Sequence, residues 1–235
     1  MAASAFTRAE RALIARLSTP EKVQRWLNHL PYNIEPPPGR ATLRSFRGVV
    51  RHRTAHCLEA ALAAAVILEQ HGHPPLVMSF ESIDELDHVL FVYQRRGRWG
   101  SIARSRDPGL HGRRPVFQNV RALARSYLDT YVDLTGGITG YTVVDLRDLE
   151  PYDWRLAERN VWKVERMLLD APHTRLRLPD AKFRELRARY KKFKEKYPDR
   201  KPIAYDGREH WSPIPKSFTR PLPAINRDRN REWAW

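Results

Sequence analysis

Cysteine is nearly missing from this chain: Cys57 is the one thiol in 235 residues. A single cysteine cannot close an intramolecular disulfide, so a reducing compartment, the cytoplasm, is expected. Also missing is any apolar run near the ~20 residues that a bilayer-crossing helix needs, so no membrane span is expected. The opening segment MAASAFTRAERALIARL lacks the continuous apolar core of a secretory signal. Glu10, and the helix that continues past it, speak against a transit peptide. There is no repeat at solenoid periods and no low-complexity tract, and no helix-turn-helix, zinc-finger or RNA-binding signature accompanies the basic charge.

What is present is globular: 42% hydrophobic residues, 10% aromatic, 7 of them Trp. Carboxylates are outnumbered, 27 against 42 Lys and Arg, for a net +15. Residues 175–201, RLRLPDAKFRELRARYKKFKEKYPDRK, hold 12 Lys or Arg and 4 Asp or Glu, a net +8 (12 − 4). That block would suit an anionic partner, nucleic acid included. Phe183, Leu186, Tyr190, Phe193 and Tyr197 step by three and four along one face, so the aromatics form one stripe with a leucine, which suits packing better than base stacking.

Thr7-Arg8-Ala9-Glu10 is a capping box, and Thr19-Pro20 opens a second helix. Three consecutive prolines make residues 31–40 extended or looped. A short helix or coil is expected over 42–50. From Cys57 the run CLEAALAAAVILEQHG is helical and stops at Gly72. Strands follow over 74–80, 88–95 and 98–105, with a hairpin turn at Gly97; a helix is expected over 119–132, a strand over 141–146, and helices over 153–170 and 180–197. The pattern predicts an α+β domain, residues 1–170, with the Cys-bearing helix packed on an antiparallel sheet, and a basic helical extension and tail, 171–235.

Cys57 begins its helix behind the basic run Arg51-His52-Arg53-Thr54-Ala55-His56. Unpaired N–H groups at a helix start favour thiolate, the reactive form, and can also hold an oxyanion. His88 opens a strand whose alternation aligns it with Leu90, Val92 and Gln94, making it the candidate base. His56 is the rival, disfavoured because an adjacent side chain seldom turns its ring onto the thiol. Ser105 and Asp107 are the candidates to orient the imidazole. Asp87 neighbours His88, although adjacent strand side chains point to opposite faces. The loop ESIDELD, residues 81–87, reads as a solvated connection, or else as a group that binds a cation or repels anionic substrates from the cleft. His52, His56 and Cys57, with His71 and His73 beyond, lack the recurrent close spacing of zinc ligands, so no metal is expected. Trp99 is a candidate wall for the cleft.

The segments PYNIEPP, HRTAHCLEAAL, HGHPPLVMSF, DHVLFVYQRRGRWGSIARS, GLHGRRPVFQNVRALARSYLDTYVD and VDLRDL resemble a family of bacterial transglutaminase-like proteins. That superfamily is a circularly rearranged relative of the papain-type cysteine proteases. The resemblance covers about residues 20 to 170. It implies a papain-like core and a Cys57–His88 dyad, and therefore acyl transfer or hydrolysis without a cofactor. The substrate would be a protein or peptide, or a small amide or ester. It also implies an Asp after the Trp-bearing strand; here Ala103 or Ser105 stands near that place and Asp107 comes late. A fold of this kind with a silent Cys57 would be a binding protein.

Overall fold

A computed structural model describes residues 5–35, 41–85 and 87–198. Helix α1 (Arg8–Arg16) starts as its capping box dictates: the Thr7 hydroxyl accepts from the Glu10 N–H at 3.2 Å, and the Glu10 carboxylate accepts from the Thr7 N–H at 2.7 Å. Helix α2 (Pro20–His29) follows its Thr19 cap, and α3 (Phe46–His52) its Ser45 cap. Helix α4 (Cys57–Glu69) is buried continuously from Leu58 to Leu68. A helix apolar on every side belongs inside a protein, and the small alanines let neighbours approach it closely.

The strands β1 (Leu76–Ser82), β2 (His88–Arg95), β3 (Arg98–Ile102), β4 (Arg113–Phe117), β5 (Ile138–Asp145) and β6 (Thr174–Arg175) form one antiparallel sheet, in the order β4-β3-β2-β1-β5-β6. Arg96 and Gly97 turn the β2–β3 hairpin with φ of 51° and 71°, both in the left-handed region that a two-residue turn requires. Alternation divides the sheet into two cores. Val77, Val89, Phe91, Tyr93 and Ile102 pack with α4. Met78, Phe80, Leu90 and Val92 pack on the other face with Leu123 and Tyr127. The second face is covered by α5 (Val120–Arg125) and α6 (Leu128–Tyr131), two short pieces where one helix over 119–132 is expected.

Helix α7 spans Trp162–Asp170 only. The helix expected from 153 starts later because the Asp153 carboxylate accepts from the Arg155 and Leu156 N–H groups at 3.1 and 2.9 Å, which builds a turn instead. The segment placed in an extension at 171 supplies strand β6, hydrogen-bonded beside β5. Helix α8 (Asp180–Lys196) buries Leu186, Tyr190 and Phe193, so its apolar stripe faces protein. The basic tail beyond 198, and residues 36–40 of the proline loop, lie outside the described residues. No helix among the described residues is long and apolar enough to cross a membrane.

Candidate active site

The site forms where the first turn of α4 reaches the start of β2. His56 caps the helix in an extended conformation, and the Glu59 carboxylate accepts from its N–H at 3.1 Å. Glu59 is fully buried and accepts three further bonds, from Asn33 Nδ2 at 2.9 Å, Arg44 N at 3.0 Å and Thr42 Oγ1 at 3.2 Å. One carboxylate thereby fastens Asn33, Thr42 and Arg44 across the helix start. Thr42 also turns the His56 ring, whose Nε2–H donates to the Thr42 carbonyl at 2.9 Å. A carbonyl can only accept, so that nitrogen carries the proton.

Both imidazoles reach the Cys57 sulfur. Burial by itself would push the thiol upward, but hydrogen bonds from His56 and His88, and the charges of both rings, bring it well below the ordinary thiol range. Burial would likewise lower His56; the hydrogen bond and charge of the Cys57 thiolate, the Glu59 charge and the Thr42 carbonyl raise it to about 9. Thiolate and imidazolium therefore stabilise each other. The sulfur also lies 4.0 Å from the Asp87 carbonyl oxygen. The Asp87 carboxylate accepts from the Ser82 N–H at 3.0 Å.

His88 is 4% exposed, with Phe80 stacked at 6.5 Å and Tyr127 tilted at 6.2 Å between ring centroids. Strand parity puts His88 with Leu90 and Val92 on the sheet face that α4 does not cover. Ring and sulfur meet only because residue 88 is the first of its strand and residue 57 the first of its helix. The His88 Nε2–H donates to the Leu110 carbonyl at 2.8 Å.

Ser105 and Asp107 shape the turn that carries that carbonyl. Ser105 Oγ accepts from the Asp107 N–H at 3.1 Å, Asp107 Oδ1 from the Gly109 N–H at 2.8 Å, and the Asp107 carbonyl from the Leu110 N–H at 3.0 Å. Arg113, fully buried, donates to the Gly109 and His111 carbonyls at 2.7 and 2.6 Å and lies 4.0 Å over the Tyr127 ring. This cation is compensated by oxygen dipoles and a π face, and it clamps both sides of Leu110.

Tyr32 is the polar side chain at the Cys57 amide: its hydroxyl faces that N–H, between the guanidiniums of Arg104 and Arg106, 5.8 and 5.9 Å from the ring centroid. Burial and the nearby thiolate hold its hydroxyl protonated, well above the usual phenol range. In the polar run before Cys57, Arg51 pairs with Glu158, and Thr54 accepts from Arg44.

Cys57 opens into a cleft of about 1070 Å³, at the upper end of the range for ligand sites. Trp162 lines it; Trp99 does not, packing instead on the sheet face away from α4. Among the described residues no group of three or more His, Cys, Asp or Glu is placed to hold a metal ion. The arrangement can form a nucleophilic thiolate, deliver a proton beside it, and hold negative charge on an attacked carbonyl.

His56, set aside in the sequence as the rival base, does turn its ring onto the thiol; Tyr32 and the Leu110 carbonyl escape the sequence reading altogether. Glu59 could have signalled the role of His56: a carboxylate three residues past it, inside an otherwise apolar helix, has the spacing of a capping residue. No protein-family model matches the chain, and no curated protein matches it.

Proposed function

We propose that this chain is a cysteine-dependent enzyme that transfers or hydrolyses acyl groups, with a core of the transglutaminase-like, papain-related type. The observation that carries the reading is a cleft-lining thiol on the first turn of a helix, flanked by two imidazoles that hold it as thiolate. A structural cysteine needs neither ring.

In this reaction the Cys57 thiolate attacks the carbonyl carbon of an amide or ester, and the C=O electron pair moves to oxygen. The Cys57 N–H and the Tyr32 hydroxyl face that oxyanion. His88 gives its proton to the leaving amine or alcohol as the bond to it breaks, leaving a thioester on Cys57. Water or an acceptor amine then attacks the thioester while His88 takes its proton, and the thiolate is released. His56 stays protonated throughout as the counter-ion. Leu110 supplies through its carbonyl the orientation that a carboxylate gives elsewhere, with no added negative charge.

Iodoacetamide labelling of Cys57 tests the activation. The wild type is expected to label far faster at pH 6 than a free thiol, with Cys57→Ala unlabelled and His88→Ala slowed. p-Nitrophenyl acetate should give a burst of one equivalent that Cys57→Ala abolishes. Labelling at pH 6 no faster than a free thiol would defeat the reading and leave a binding protein.

A further inference from the structure

The chain carries +15, yet the cleft in front of Cys57 has the opposite sign. Five carboxylates line it, Glu35, Glu81, Glu85, Asp87 and Glu165, against one guanidinium, Arg106, and no lysine; the His56 imidazolium also lines it but is matched by the Cys57 thiolate. None of these five belongs to an ion pair among the described residues. Three are instead fixed by neutral donors: Glu35 accepts from the Thr42 N–H at 2.7 Å, Glu81 from Thr139 Oγ1 at 3.0 Å and Asp87 from the Ser82 N–H at 3.0 Å. Among the described residues no Lys or Arg pairs with them, so they point a negative potential at whatever enters.

A second observation concerns apolar surface. Six large hydrophobic side chains are exposed among the described residues, and four of them, Ile34 (37%), Ile83 (54%), Trp162 (41%) and Leu169 (62%), stand around this same cleft. Scattered apolar side chains are unremarkable, but a cluster rimming a nucleophile marks a surface that is covered in use.

We infer that the substrate is a cationic peptide segment, one whose Lys or Arg side chains meet the carboxylates while neighbouring aliphatic or aromatic side chains cover Ile34, Ile83, Trp162 and Leu169. An acidic peptide is repelled by the same wall. This deepens the acyl-transfer reading by naming its substrate, and it rests on Cys57 being the reacting group.

Two methanethiosulfonates, one trimethylammonium-bearing and one sulfonate-bearing, read the cleft charge on the full-length protein. The Cys57 thiolate attacks the sulfenyl sulfur of either reagent; a disulfide forms and methanesulfinate leaves. At pH 9, where an ordinary thiol is also largely ionised, the comparison does not depend on activation. Relative to a small free thiol, Cys57 is expected to favour the cation by about tenfold or more. That preference should shrink severalfold in Glu81→Gln/Glu165→Gln and in high salt, while a neutral reagent reacts as before. Acetyl-Leu-Lys-Leu-Arg-amide is expected to slow iodoacetamide labelling, its Glu-containing counterpart to have no effect, and Trp162→Ala to weaken the protection. A reagent preference equal to that of the free thiol, or equal protection by both peptides, overturns the inference. Slow labelling at pH 6 with the charge preference intact would count against the enzyme reading alone.

Discussion

Glu59→Gln is the sharpest test of how the nucleophile is seated. The substitution keeps shape and volume but removes one acceptor oxygen. In the native site Oε1 accepts from Arg44 N and Thr42 Oγ1, and Oε2 from Asn33 Nδ2 and His56 N. A glutamine amide must turn its NH₂ toward one of these pairs. Facing Asn33 and His56, it meets two donors that cannot become acceptors. Facing Thr42 and Arg44, it meets a hydroxyl that can rotate and a backbone N–H that cannot, so this is the cheaper orientation. It leaves one buried N–H without a partner, at about 1–3 kcal/mol, and turns the two remaining charge-assisted bonds into neutral ones, losing about 1 kcal/mol more. The expected loss is about 2–4 kcal/mol. For a domain of this size that is a fall in Tm of roughly 10 °C by calorimetry. Urea unfolding should show the midpoint moving with an unchanged slope. A loss under about 0.5 kcal/mol would refute the account of Glu59 as the fastener of the helix start.

Two further outcomes follow from the geometry. The thiolate–imidazolium pair makes stability depend on pH: His56 rises from 6.5 to about 9 on folding, and Cys57 falls well below 9.0. Below about 6.5 the unfolded chain takes up a proton at His56 that the folded pair already holds. Stability therefore falls on acidification toward the lowered Cys57 value. Between about 6.5 and 9 both states bind one proton and the contribution is flat; near 9 the folded imidazolium and the unfolded thiol release their protons together, so it stays flat. Urea midpoints should fall below about pH 6.5 and hold a plateau above it, and Cys57→Ala should remove the acid slope. Arg113→Met should loosen the turn bearing Leu110, lowering p-nitrophenyl acetate turnover at least about tenfold (~1.4 kcal/mol). Iodoacetamide labelling at pH 6 should stay fast, because His56 still holds the thiolate; a parallel loss of both would make Arg113 merely structural.

The readable parts of the sequence were those governed by local rules. Thr7 and Glu10, Thr19 and Pro20, the alanine run after Cys57, and the Arg96-Gly97 turn each fix their own conformation through neighbours in the chain. Strand β4 carries no such pattern: Arg113 and Pro115 interrupt it, and Arg113 is buried only because Gly109, His111 and Tyr127 surround it in space. The delayed start of α7 depends on one Asp153 carboxylate and on Arg155 being drawn 86 residues back along the chain to Glu69. In the site, Cys57 and His88 are legible by residue type, and the structure brings both to one place. His56 is legible as a rival base but its orientation is not: what turns its ring is the Thr42 carbonyl, 14 residues away. A backbone oxygen such as that of Leu110 has no signature at all, since every residue owns one.

The helix bearing the nucleophile is enclosed along its length, whereas the entrance before it is made of surface segments and exposed side chains such as Glu81, Trp162 and Leu169. Substitutions in the first region jeopardise folding; under the proposed function, those in the second alter which guest is admitted. Descendants of such a chain can drift toward new clientele residue by residue, while the bond-making atoms keep one fixed bearing.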